Sequence, residues 1–183
     1  MNLIFLDTET GGLNPFRHSL LQVGMVAYVD GQIKGFVELE VSELNYNTTD
    51  EALKVNKLDI NDLRKNGVKK ELILERIIEF KNKYFGEIEK PVLAGHNISF
   101  DRCFIWKLFD DCDLDILNHF SHRSLDTMSI LWALYDIGKI PKEACSSEGA
   151  FKFFDIKVEK RHTALADAVA TVQLYMKLTE MIK

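Results

Sequence analysis

The residues of this chain able to do chemistry fall in three places. Asp7 and Glu9 lie two apart behind the apolar run Leu3-Ile4-Phe5-Leu6. On a strand both side chains emerge on one face, about 6.6 Å apart along the chain. A run that is apolar at every position reads as a strand buried on both faces. Two carboxylates at its end are costly unless they are paired or bound to cations. Gly11-Gly12 follows and permits close approach of a backbone or ligand. Taken alone, the pair suits a polar strand end running into a turn equally well. Asp101 is the second place. Capping by Ser99 would set it in the first turn of a helix, where the dipole favours a carboxylate by ~0.3–1 kcal/mol, and that alone would account for it. The third is His162 with Asp167, five residues on. On an unbroken helix the two would sit about 140° apart. They converge if His162 lies in the loop before the helix and Thr163 caps it. Leu165, Ala168, Val169, Val172 and Met176 form one apolar stripe, and Asp167 heads a second row with Ala170, Thr171 and Leu174. A carboxylate on so apolar a row is expected to be partly buried.

The elements that must position these groups read as follows. Residues 2–8, 20–29 and 33–41 are strands, with Asp30-Gly31 as a hairpin turn between the second and third. An antiparallel meander is the simplest arrangement. Thr48 and Glu51 resemble a capping box. Asp59 is a candidate cap for a short helix that Gly67 would end. Ile73, Ile77, Phe80 and Tyr84 share a helical face before Gly86. Residues 91–94 form a short buried strand. Ser99 opens a helix holding Phe104, Ile105, Leu108 and Phe109. Residues 125–135, 150–154 and 163–181 are helical. The order, strands first and then helices around one further strand, gives an α/β domain with a mixed sheet.

Composition bounds the rest. A chain of 183 residues with 46% hydrophobic and 28% charged residues suits one globular domain over residues 1–183, which removes disordered and fibrous classes. No apolar run is long enough for a membrane span, and the first residues lack a signal-peptide pattern. Cys103, Cys112 and Cys145 have no metal-type spacing, so a reducing, cytoplasmic setting without membrane partners is expected. A net charge of −5 argues against gripping nucleic acid by bulk charge. It does not argue against an acidic pocket that recruits cations and meets phosphate there.

The string Phe5-Leu6-Asp7-Thr8-Glu9-Thr10-Gly11-Gly12-Leu13 resembles the first motif of the DEDDh family of 3′–5′ exonucleases, which includes the proofreading epsilon subunit of bacterial replicative polymerases and ribonuclease T. Gly11 stands where a second threonine is common. His96-Asn97-Ile98-Ser99-Phe100-Asp101 resembles the second motif, and His162 with Asp167 the third. All three occur in order, over residues 5–175. The resemblance implies a ribonuclease H-like fold: a mixed central sheet, its first three strands antiparallel, flanked by helices. It implies that Asp7, Glu9, Asp101 and Asp167 hold two divalent cations, Mg2+ or Mn2+, and that His162 is the general base. Such ions keep oxygen ligands at about 2.0–2.1 Å, and an imidazole with a pKa near ~6.5 suits proton removal at neutral pH.

By the same resemblance Thr8, Thr10, Gly12, Leu13, Asn97 and Phe100 meet the terminal nucleotide, with Leu13 wedged against bases. Glu51-Ala52-Leu53-Lys54-Val55-Asn56 is similar to the family's substrate-contacting helix, so Glu51 and Asn56 join that set. Asn56 stands where epsilon-type members have histidine. His96 and Asp126 are read as supporting residues. Lys152, Lys157, Lys160 and Arg161 are candidates for the strand's path, and residues 110–115 are a solvated acidic loop. The expected activity is release of nucleoside 5′-monophosphates from single-stranded 3′ ends, DNA slightly favoured over RNA. Proofreading in a polymerase complex and a homodimer are open contexts. The alternatives are an oligoribonuclease or RNA-trimming enzyme and a catalytically silent nucleic-acid-binding module on the same fold.

Overall fold

A computed structural model describes residues 2–158 and 162–182. Three strands come first: β1 (Leu3–Thr10), β2 (Leu20–Val29) and β3 (Gln32–Ser42). They pair antiparallel as a meander. The β2–β3 turn is Asp30-Gly31, both with positive φ, 51° and 80°, as a tight hairpin of right-twisted strands requires. Two short helices follow, α1 (Asp50–Asn56) and α2 (Ile60–Asn66), then β4 (Val68–Lys69) and α3 (Lys70–Phe85). The second half holds β5 (Val92–Gly95), α4 (Ile98–Asp110), β6 (Ser124–Asp126), α5 (Thr127–Asp136), α6 (Ser147–Phe153) and α7 (Ala164–Ile182). The sheet order is β4-β3-β2-β1-β5-β6, with β5 parallel to β1 and to β6. This is the mixed α/β architecture expected from the sequence.

β1 is central and buried on both faces, which explains its unbroken apolar run. Ile4 and Leu6 point into a core shared with Ile73 and Ile77 of α3 and Phe104 and Leu108 of α4. Leu3 and Phe5 point the other way, onto Ala168 and Val172 of α7. Alternation carries this forward. Asp7 and Glu9 continue the α7 side, and Thr8 the α4 side. A register shift between Glu9 and Thr10 breaks the β1–β2 ladder at its end, the kind of bulge that re-aims side chains beside active sites.

α7 lies against the sheet at a point set by Gly24. That residue pairs with Asp7 across β1–β2. A Cβ there would stand 2.2 Å from the Ala164 carbonyl carbon. Only a glycine lets the first turn of α7 rest on the backbone of β2. The remaining core packs Ala170, Leu174 and Leu178 of α7 against Leu131 and Leu134 of α5 and Phe151 of α6.

Several local expectations move. The cap of α1 is Thr49, whose hydroxyl accepts from the Ala52 N–H, rather than Thr48. Residues 124–126 form a strand, and the helix expected from residue 125 starts at Thr127, because Asp126 caps it by accepting from the Met128 N–H. α6 begins earlier than residue 150, after a Ser146 cap. Met176 is exposed at 40%, so the α7 stripe against the sheet turns toward Tyr175 instead. The two-residue β4 carried no readable period.

Gly24→Ala must push backbone off backbone. The expected loss is about 1–3 kcal/mol of stability, read as a lower urea midpoint. An unchanged midpoint would show that α7 is not seated on Gly24.

Candidate active site

The three motif regions meet at the C-terminal end of β1. Glu9 and Asp167 are each only 9% exposed. One potential ligand atom each from Glu9, His162 and Asp167 lie within 4.8 Å of one another. Among the described residues this is the group of acidic and imidazole side chains close enough to hold a metal ion, and its donors suit a divalent cation. Asp7 sits half-buried on the same strand face, two residues before Glu9. The acidic loop 110–115 forms no such group. Its Asp111 pairs with Lys107 and Lys70, and Asp115 accepts from the Leu117 N–H.

The convergence of His162 and Asp167 follows from where α7 starts. His162 lies outside the helix in a left-handed conformation, φ 68°, a region histidine visits more readily than most residues. Thr163 caps the helix by accepting from the Ala166 N–H at 3.3 Å. The His162 N–H donates to Asp167 Oδ2 at 3.2 Å. The loop therefore folds back over the first turn and brings both side chains to one point.

Two residues absent from the sequence reading hold that turn in place. Gln22, on β2 and 2% exposed, accepts from the Ala164 N–H through Oε1 at 2.9 Å. Glu38, on β3, accepts from the Leu165 N–H at 3.2 Å. They satisfy the first free N–H groups of α7 from the sheet, where a cap is normally local. Gln22 is paired with Glu9 across the ladder, so the strand that carries one site residue also fixes the helix that carries another. Neither residue belongs to a local motif. The visible signal was a polar Gln22 inside the otherwise apolar run 20–29.

Asp101 reaches the site from α4. β5 stops at Gly95, so β1 has no parallel neighbour beyond that point. Asp101 takes its place: Oδ1 accepts from both the N–H and the hydroxyl of Thr8, each at 2.8 Å. This fixes one oxygen and leaves Oδ2 as the atom available to a cation. The helix start is not capped by Ser99. Asn97 precedes α4 with φ 61°, and its N–H donates to Asp126 Oδ1 at 2.8 Å. Asp126 thus clamps the starts of α4 and α5 together. His96 Nδ1 lies 3.2 Å from the Thr127 hydroxyl, which suits a supporting role. Asp101 is 4% exposed. Burial pushes its carboxyl up to about 7. The two Thr8 bonds oppose that rise and the charge of Asp126 adds to it.

A cleft of about 520 Å3 opens beside Glu9. It is lined by Thr8, Thr10, Gly12, Leu13, Glu51, Asn56 and Phe100, which are seven of the eight expected nucleotide contacts. Leu13 stands 84% exposed at its rim. Asn97 is the exception. It lines a neighbouring hollow with His96 and Trp132. Asn56 is buried, and its amide is already engaged: Nδ2 donates to the Thr10 carbonyl and Oδ1 accepts from the Leu58 N–H. Its evident work is to tie α1 to the end of β1. Thr10 donates its hydroxyl to the Gly12 carbonyl. Lys152 borders a hollow shared with His162. Lys157 is exposed, and Lys160 and Arg161 lie outside the described residues.

Comparison with known proteins bears on the family and the fold. A family model described as exonuclease, of the RNase T type, matches residues 4–175. The PolC-type DNA polymerase III of Latilactobacillus sakei is 28% identical over 176 residues, covering 96% of this chain and 11% of the polymerase. The chain thus spans about a tenth of that relative's length. Ribonuclease T of Shewanella baltica is 27% identical over 191 residues, covering 98% of this chain and 82% of that protein. In fold, the zinc-bound E. coli ExoI–ssDNA complex superimposes with a TM-score of 0.86 at 18% identity, covering all of this chain and 41% of that one.

The raised Asp101 carboxyl gives a signed pH dependence. Folded, it holds its proton to about pH 7; its ordinary value is 3.8. Between these values the folded chain binds more protons than the unfolded one, so the cation-free protein loses stability as pH rises from about 4 to 7. Urea midpoints in chelator should fall across that window, and Asp101→Asn should flatten the fall. A profile identical in the variant would remove Asp101 as its source.

Proposed function

We propose, since the chain belongs to the RNase T-type exonuclease family, that it is a 3′–5′ exonuclease acting on single-stranded nucleic acid. The observation that carries this reading is the dual position of Glu9. Glu9 belongs to the cluster with His162 and Asp167 and also lines the apolar cleft. A group that could hold a cation and a cleft of about 520 Å3 therefore share a wall. On this reading residues 1–183 form one exonuclease domain.

Asp7, Glu9, Asp101 and Asp167 would hold two divalent cations, Mg2+ or Mn2+. Bound there, such ions neutralise the four carboxylates and stabilise charge on the reacting phosphate. The chain's own residues do the rest. Leu13 and Phe100 hold the terminal base against the rim, and Thr10 and Glu51 border the sugar. His162 takes a proton from the attacking water as its oxygen bonds to phosphorus. The bond from phosphorus to the 3′ oxygen of the preceding nucleotide breaks. A nucleoside 5′-monophosphate leaves, and that oxygen takes up a proton to become the new 3′ hydroxyl.

His162 sits close enough to Glu9 and Asp167 to be read as a cation ligand as well. Its place in the loop, outside the helix that carries Asp167, favours the base. DNA is slightly favoured as substrate, because the PolC-type relatives are DNA polymerases by name and ExoI was captured with ssDNA. The ribonuclease T relatives keep RNA trimming as the second reading. A polymerase complex is the context that the PolC-type relatives suggest. No helix among the described residues is long and apolar enough to cross a membrane.

Incubation of 5′-labelled single-stranded DNA and RNA with Mg2+ or Mn2+ should give stepwise shortening from the 3′ end, absent in Asp7→Ala. His162→Ala should keep calorimetric Mn2+ binding while kcat falls about 10²–10⁴-fold. Lost Mn2+ binding in that variant would make His162 a ligand instead of the base.

A further inference from the structure

The cleft accounts for one nucleotide, and a single strand must continue beyond it. One surface continues from the cleft rim. α4 carries Phe100, Cys103 and Trp106 at three-residue spacing, so each steps about 60° around the helix from the last and Trp106 lies about 120° round from Phe100. Phe100 lines the cleft. Cys103 is exposed, and Trp106, about 9 Å further along the axis by helix rise, is 47% exposed. Against Trp106 lies Phe16, 66% exposed, with ring centroids 6.5 Å apart and planes at 85°. Phe16 belongs to the loop between β1 and β2, the same loop that raises Leu13. His18 of this loop lines both the cleft and the hollow beside Phe16, so the two depressions adjoin at that residue.

Two exposed aromatic rings in edge-to-face contact hold each other's position, which lowers the entropy lost when a partner packs on them. The charge nearby is mixed, since Glu43 and Asp111 line the hollow beside Phe16 together with Arg17, Lys70 and Lys107. Lys107 and Lys70 are committed to Asp111. Arg17, next to Phe16 and exposed, has no carboxylate partner among the described residues. The other aromatic hollow, around Trp132, shares no lining residue with the cleft.

We infer that Phe16 and Trp106, with Arg17 beside them, form a stacking platform for the nucleotides behind the terminal one in a single-stranded DNA or RNA substrate. The inference rests on the exonuclease reading and adds where the strand runs. Stacking suits an acidic chain of net charge −5, which cannot hold a polyanion by bulk charge. It also works for any base, because every base offers a π-face.

The test separates this surface from the chemistry. In a Trp132→Phe background Trp106 is the only tryptophan left. Ten-residue oligo-dT and oligo-rU, added in chelator, should quench its fluorescence, whereas dTMP alone should not. Arms that quench equally indicate a sugar-tolerant platform; quenching by one alone names the preferred polymer. Phe16→Ala and Trp106→Ala should raise the KM for the decamer about tenfold relative to that for the p-nitrophenyl ester of dTMP. Cleavage of the decamer without quenching, or with an unchanged KM ratio, overturns the platform and leaves the surface to a protein partner. Quenching without cleavage of either substrate keeps the platform and removes the catalytic reading.

Discussion

Most of this molecule's organisation follows from one close contact, the first turn of α7 resting on the bare backbone of Gly24. The contact lets a helix end reach the middle of a sheet. Asp7 flanks Gly24 on one side of the row and Glu38 on the other. The N–H groups of that turn then find Gln22 and Glu38 beneath them. A helix N-terminus carries partial positive charge, and here it lies over a row of acidic side chains. Asp167 projects from that turn and His162 folds back over it, so the position of Gly24 sets where both arrive. A side chain at Gly24 would displace the entire third motif relative to the first.

Asp101 answers a different constraint with the same economy of parts. β5 is too short to pair with the end of β1, and the buried N–H of Thr8 would be left without a partner. The carboxylate of α4 accepts it together with the Thr8 hydroxyl. The acid is therefore a structural plug and a candidate cation ligand at once. Burial favours its protonated form while no cation is present. The ionised form needs a counter-charge, and a divalent ion between Asp101 and its acidic neighbours would supply one.

The sequence carried the local parts of this design well. β1 was legible because burial on both faces leaves no polar position from Leu3 to Leu6. Thr163 as the cap of α7, and His162 outside it, followed from helix geometry once the resemblance required His162 and Asp167 to converge. The seven cleft residues were reached by resemblance and are found on one cavity. What stayed hidden was long-range. Gln22 and Glu38 cap a helix that lies more than a hundred residues away in the chain, and no periodicity reports that. Ser99 reads as the cap because cap preference is local, whereas the start of α4 is fixed by Asp126 through the Asn97 N–H. Asn56 looked like a substrate contact by position, yet both ends of its amide are held by backbone. β4 and β6 are two and three residues long and exist only because β3 and β5 offer them edges.

The acidic balance of the chain has a consequence for how such a site would take a polyanion. On the proposed reading, Glu9 and Glu51 at the cleft wall, with the acids behind Glu9, would repel phosphate until cations reversed the local sign. Affinity for the end of a strand would then depend on the cations, and affinity for its bases on apolar contact. The surface is arranged in that division. Leu13 and Phe100 line the cleft and Val55 rims it, while the exposed Phe16 and Trp106 stand along the same helix and loop. A basic protein would hold the strand by its backbone and read its end poorly. On the proposed reading, an acidic chain with a cation-dependent pocket would hold the strand where a terminal nucleotide fits, and weak general attraction would favour that end over binding along the strand.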